Sequence, residues 1–343
     1  MLVGILVIEL IFGGWIGRNY GTLVLPIDYE RRFDVSKLYD WPGNYTNYSR
    51  DSYGLRGEYN SPAKINIITM GGSTTNEIFI SEGHTWSDIL ASNFQKSGRD
   101  ITIVNAGVDG QSTIGHLKNF EVWFPKIPKF SAQYILVYLG INDLALIKAN
   151  YNQNKQDGLF ARRNVIKQYI MNNSAIYTLF RNVRGMVIAR NANLIHTGKN
   201  FNNVTWELAH SINVKSFEER YSPDLLYYVM RLMDLAKSIH NFGAEPIFVT
   251  QSKGSYRIKG GKIYVPAGES GRVSLDEYAG LSAINKVTIK VCREIKAICI
   301  DLAKNLEFKN GDHYDRLHTT PGGSEKIGLY LFKTLRNKLI FEN

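Results

Sequence analysis

Residues 64–74, Lys64-Ile65-Asn66-Ile67-Ile68-Thr69-Met70-Gly71-Gly72-Ser73-Thr74, run from a short apolar segment into two glycines and a serine. An apolar run of this length, rich in β-branched residues, reads as a buried strand. Two glycines allow a tight turn, and the turn presents the Ser73 hydroxyl at the carboxyl end of the strand. Open α/β sheets place their sites at that end. Read alone, Gly-Gly-Ser is equally an ordinary loop, so the rest of the chain has to supply the context.

Outward from this stretch the same rhythm repeats. Strands are expected at about 64–70, 101–105, 134–139, 246–250 and 297–301, and helices near 85–96, 113–122, 222–241, 276–296 and 322–339. Short apolar runs alternating with longer amphipathic ones predict an α/β fold of three layers, a five-stranded parallel sheet between helices. Ser222-Pro223 and Thr320-Pro321 read as cap and first-turn pairs. Two stretches interrupt the rhythm. Residues 144–220 are too long for a plain connection and read as a helical insertion, a cap or lid. Residues 251–275 are rich in Gly and Lys. Residues 20–62 read as a linker or an irregular lead-in packed on the domain, which itself spans 63–343.

The first 19 residues differ in kind. Residues 2–17, LVGILVIELIFGGWIG, are apolar apart from Glu9 and end at Arg18. They lack the basic start and small-residue cleavage site of a signal peptide. A short membrane anchor is expected, ahead of an uncleaved signal sequence or a buried helix, with the remaining chain outside the cytoplasm. The net charge of +10 over 343 residues suits an anionic partner or a solvated basic face. No zinc-finger or RNA-binding signature accompanies it, so nucleic acid is not an expected partner. Cys292 and Cys299 form no C-x-x-C and have no histidine pair nearby; they are expected as buried free thiols.

Three further blocks end predicted strands or loops. Asn105-Ala106-Gly107-Val108-Asp109-Gly110-Gln111-Ser112 leaves backbone N–H groups free to face a ligand, or is simply a strand-to-helix turn. Gly140-Ile141-Asn142-Asp143 offers a neutral amide that can donate to a developing oxyanion, or an Asx-type turn. In Asp315-Arg316-Leu317-His318-Thr319-Thr320-Pro321, a carboxylate three residues ahead of a histidine can hold Nδ1–H and aim Nε2 outward. None of the six other histidines has an acid at this spacing in such a context.

In this order, the four blocks resemble the SGNH (GDSL-like) hydrolase family, over about residues 63–340. The resemblance implies a flavodoxin-like fold and a serine esterase or acyl hydrolase. Ser73 would be the nucleophile, His318 the base and Asp315 its orienter. The Ser73 and Gly110 N–H groups and the Asn142 amide would form the oxyanion hole. No metal or organic cofactor is implied. The family's Gly-Asp-Ser reads Gly71-Gly72-Ser73 here, and with Tyr53-Gly54-Leu55-Arg56-Gly57 upstream the chain looks like anchored members linked to cell-surface polymers. Thr75 stands where the G-x-S-x-G elbow needs its last glycine, so this is not that turn. The expected substrate is a short acyl ester, such as an acetyl group on carbohydrate. The same residues would serve a polysaccharide O-acyltransferase, and an inactive carbohydrate-binding module is the reading from another class.

Overall fold

The computed structural model describes residues 25–156, 204–209 and 214–341, together with Glu9, Ser174 and Ile176. Five strands form the central sheet: β3 (Ile65–Gly71), β4 (Ile103–Asn105), β5 (Ala132–Leu139), β7 (Glu245–Thr250) and β10 (Ile298–Ile300). All four pairings are parallel. The spatial order is β10-β7-β5-β3-β4, the flavodoxin-like order in which the first strand lies between the second and third. The chain leaves β3 toward one edge and later returns to build toward the other. A crevice therefore opens between the carboxyl ends of β3 and β5.

Alternation along the strands feeds two apolar layers. Ile68 and Met70 of β3 and Ile135, Val137 and Leu139 of β5 face one layer. Helices α3 (Thr113–Val122), α4 (Ile141–Gln156), α6 (Ser222–Phe242) and α7 (Glu269–Glu294) contribute to it. Ile67, Leu136 and Tyr138 face the other, with α2 (Trp86–Lys96) and α9 (Pro321–Leu335). Thr85 begins α2 with a complete capping box to Asp88. Thr320 caps α9 by accepting from the Gly323 N–H.

Several local expectations are corrected. Ser222 is the first residue of α6 rather than its cap; Tyr221 holds the cap position and makes no side-chain cap bond. Helix α7 starts at Glu269, seven residues before the expected 276. The chain turns into α4 directly after β5, and this helix runs on into the region expected as insertion. Of residues 251–275, Arg257–Lys259 (β8) and Lys262–Pro266 (β9) form a hairpin. Gly260 and Gly261, both at positive φ, make its two-residue turn. Trp206–Leu208 (β6) adds a third antiparallel strand. The apolar amino-terminal segment apart from Glu9, and residues 157–173, 175, 177–203 and 210–213 of the expected insertion, lie outside the described residues. Glu9, the acid inside that segment, accepts hydrogen bonds from Ser174 Oγ at 2.6 Å and from the Ile176 N–H at 3.2 Å. Among the described residues no helix is long and apolar enough to cross a membrane.

Cys292 and Cys299 are not free thiols but a disulfide, with their Cα atoms 5.9 Å apart. Helix α7 ends at Glu294, Lys296 takes a left-handed φ of 57°, and the Ala297 N–H returns to the Cys292 carbonyl. That turn folds β10 back alongside the last helical turn and brings the two sulfurs together. Spacing alone carries no sign of such a reversal.

The stretch before the sheet is regular and bonded to the core. Tyr29–Asp34 (β1) and Tyr45–Arg50 (β2) pair as an antiparallel hairpin. Arg50, the last residue of the hairpin, and Arg56 beyond it are both buried. The Arg56 guanidinium donates to the carbonyls of Asn76, Glu77 and Ile80 and pairs with Glu82 at 2.9 Å. Arg50 donates to Asn76 Oδ1 at 2.8 Å and to the carbonyls of Gly54 and Gly107. Apart from Glu77, whose carbonyl also accepts from the Ile80 N–H, these carbonyls have no backbone donor, and a multi-donor side chain can satisfy several at once. Arg56→Met should therefore lower stability by about 3 kcal/mol. Arg56→Lys should recover little, since one ammonium cannot reproduce the fork. Urea denaturation of the two variants measures both effects.

Candidate active site

Strand β3 ends at Gly71, and Ser73 opens a single helical turn, α1 (Ser73–Asn76). The glycines before it are required by close approach. A Cβ on Gly71 would lie 2.1 Å from Thr75 Oγ1, and one on Gly72 would lie 2.3 Å from Asn142 Nδ2. The Asn142 amide thus occupies the space beside the turn that a side chain at position 72 would take. Ser73 itself is half-buried, while Thr75 and Asn76 behind it are buried.

His318 reaches the same point from the far end of the chain. Its Nε2 lies 2.9 Å from Ser73 Oγ, and its Nδ1 lies 2.7 Å from Asp315 Oδ2. The other oxygen of Asp315 accepts from the backbone N–H groups of Leu317 and His318, at 2.7 and 2.6 Å. One carboxylate therefore fixes both its own loop and the imidazole. With Nδ1–H donated to Asp315, Nε2 keeps its lone pair for the Ser73 hydroxyl. The Tyr314 ring stacks on the imidazole, with centroids 5.7 Å apart and planes 12° from parallel. His313, in the same loop, is different in kind. Burial holds its imidazole down to about 3, with the Arg257 charge acting in the same direction, so it stays neutral as a packing group.

The second and third blocks meet beside the serine. Asn142 Nδ2 donates to the Gln111 carbonyl at 2.8 Å, which ties the first turn of α4 to the loop after β4. Gly110, next to Gln111, has φ +75° and is exposed. Asp109 is held from the other side by Asn76 Nδ2 at 2.8 Å. Asp143 turns away from the serine and is buried. It accepts from the Thr113 N–H and hydroxyl at the start of α3, where no side chain of the helix's own cap position does so. Desolvation pushes its carboxyl up, opposed by the Thr113 bonds and Arg231.

Three residues not singled out by spacing hold this arrangement. Gln251, the residue after β7, accepts from the Ile141 N–H at 2.8 Å and donates to Thr74 Oγ1 at 2.8 Å. It joins the neighbours of Asn142 and Ser73. Asn76 links the serine turn to both Arg50 and Asp109. Glu77, fully buried, accepts from the Trp86 N–H at 2.8 Å, from Thr319 Oγ1 at 2.9 Å and from Ser324 Oγ. Burial pushes its carboxyl up to about 7, against the pull of these donors and Arg56. The only sequence sign of Glu77 is an acid in the turn just after the serine. Among the described residues no three His, Cys, Asp or Glu side chains gather as a metal-binding set.

The model of the GDSL-like lipase/acylhydrolase family matches residues 67–331, well over half of the chain. No functionally curated protein matches it by sequence. Similar solved structures include TesA, with 13% identity and a TM-score of 0.44, covering 80% of this chain and 99% of that one. A lipase/acylhydrolase from Enterococcus faecalis shows 17% identity and a TM-score of 0.41, covering 81% and 100%. Est24, a carbohydrate acetylesterase from Sinorhizobium meliloti, shows 9% identity and a TM-score of 0.39, covering 80% and 100%. On the family match, the chain belongs to the GDSL-like lipases/acylhydrolases and is a serine hydrolase acting on esters.

Proposed function

We propose that the protein hydrolyses carboxylic esters of small acyl groups through a covalent acyl-enzyme on Ser73. The observation that carries this reading is the continuous hydrogen-bonded chain from Ser73 Oγ through His318 to Asp315, with links of 2.9 and 2.7 Å. His318 Nε2 takes the hydroxyl proton as Oγ bonds to the ester carbonyl carbon, and Asp315 stabilises the imidazolium that forms. The same proton then passes to the departing alkoxide as the C–O bond breaks. A water molecule attacks the acyl-enzyme with His318 again as base, which releases the acid and restores Ser73.

Negative charge on the carbonyl oxygen falls to the N–H groups of Ser73 and Gly110 and to the Asn142 amide. One N–H of that amide is used by the Gln111 carbonyl. This sets its plane and leaves the second N–H for the oxyanion. A small acyl group is favoured because the side chains bonded around the serine turn, Thr74, Asn142 and Gln251, are polar.

Hydrolysis of p-nitrophenyl esters from acetyl to octanoyl, followed by absorbance, tests the reading. Acetyl should be the best substrate, and an octanoyl preference would remove the small-acyl assignment. Ser73→Ala should abolish turnover while leaving the circular dichroism spectrum and melting temperature unchanged. Asn142→Ala should lower kcat by roughly 10²–10³ at near-constant KM. A raised KM with unchanged kcat would take Asn142 out of the oxyanion role.

A further inference from the structure

Glu77 is a buried carboxylate that acyl transfer does not consume, and its partners span the molecule. Its N–H donates to the Ser73 carbonyl at 2.8 Å, closing the α1 turn, and its backbone is left-handed, with φ 50°. Its side chain runs to the opposite end of the sequence, where Thr319 Oγ1 and Ser324 Oγ both donate to Oε1. Those two hydroxyl oxygens lie 2.9 Å apart, side by side on the carboxylate. Thr319 is the residue after His318, and Ser324 lies in the first turn of α9. The second carboxylate oxygen accepts from the Trp86 N–H at the start of α2, a helix end that favours negative charge.

Among the described residues no cation forms an ion pair with this carboxylate. The Arg56 guanidinium bonds the Glu77 carbonyl at 3.1 Å and gives its charge to Glu82. Burying a carboxylate on neutral donors alone costs free energy that a leucine of similar volume would not. What the carboxylate provides is direction: two oxygens, each with fixed lone-pair positions, reaching three donors on separate elements. It connects the residue that closes the Ser73 turn to the residue that follows His318.

We infer that Glu77 is a positioning residue that holds the Ser73 turn and the His318 loop at their reacting separation. The inference rests on Ser73 and His318 being the reacting pair. An ångström of drift between two such groups is enough to cost a large factor in rate while leaving substrate binding intact.

Two variants test this, each assayed for kcat and KM with p-nitrophenyl acetate and for the rate of labelling by a fluorophosphonate. Glu77→Leu removes all three acceptances, and Thr319→Val cuts only the link next to His318. Thr319→Val should lower kcat and labelling rate by at least roughly tenfold, with KM within twofold of the parent. Glu77→Leu, where it folds, should lower them further. A Thr319→Val protein with parental kcat overturns the inference whatever Glu77→Leu does, and so does a change confined to KM. Ser73→Ala run alongside separates the two layers. If it still hydrolyses the ester, the Ser73 reading has failed. If it is silent while Thr319→Val is unaffected, only the role of Glu77 has failed.

Discussion

Parallel pairing in register is the constraint from which the site follows. Gly71 lies opposite Tyr138, Tyr138 opposite Val249, and Leu139 opposite Thr250. The three central strands therefore end level, and whatever follows each one falls on a single rim. Gly72-Ser73 follows β3, Gly140-Ile141-Asn142 follows β5, and Gln251 follows β7. A slip of one residue in any pairing would move its contribution by about 3.3 Å and turn it to the other face. The Gln251 side chain, bonded to the Ile141 N–H on one strand end and Thr74 on the next, reads out that alignment directly.

Holding such a rim still is a problem of unpaired backbone. The turn after Ser73 reverses direction within a few residues, so the carbonyls of Asn76 and Ile80 find no ladder or helix partner, and burial removes water as a substitute. Arg50 and Arg56 meet this need from residues that precede the sheet. Between them they bond carbonyls of Gly54, Asn76, Glu77, Ile80 and Gly107. The β1–β2 hairpin is thereby as much a part of the site as the strands are. Its aromatic cluster carries the connection further: Phe33 and Tyr48 pack with Phe79 and with Tyr314, whose ring lies on His318.

Much of this was legible in the sequence, because the information is local there. A strand followed at once by glycines and a serine, or a carboxylate three residues before a histidine, is a pattern within one short window. Ser73, Asn142, Asp315 and His318 all announce themselves in that way, and so do the five strands. What stayed hidden depends on distant partners. Nothing near Arg56 indicates that its guanidinium will find carbonyls 20 residues away. Glu77 gains its meaning only from Thr319, 242 residues on. The disulfide turned on a left-handed residue at a helix end, which spacing does not encode. The early start of α7 and the cap at Tyr221 rather than Ser222 are of another kind, where tertiary packing overrides local preference.

The buried and exposed parts of the site divide the work between them. Asn76, Glu77, Asp143, Gln251 and Asp315 are buried, whereas Ser73, Asn142 and His318 are half-buried and Gly110 is exposed. A hydrogen-bonded floor thus carries the proposed reacting groups, which still meet solvent. The proposed hydrolysis demands both properties: fixed geometry for attack on the ester, and water able to reach the acyl-enzyme afterwards. Deep enclosure would supply only the first, and a loose surface site only the second. Polar anchors suit this floor better than apolar packing would, because a hydrogen bond fixes distance and angle while a methyl contact fixes neither. The desolvation cost of Glu77 and of the two buried guanidiniums is accepted where the geometry of Ser73 and His318 depends on direction.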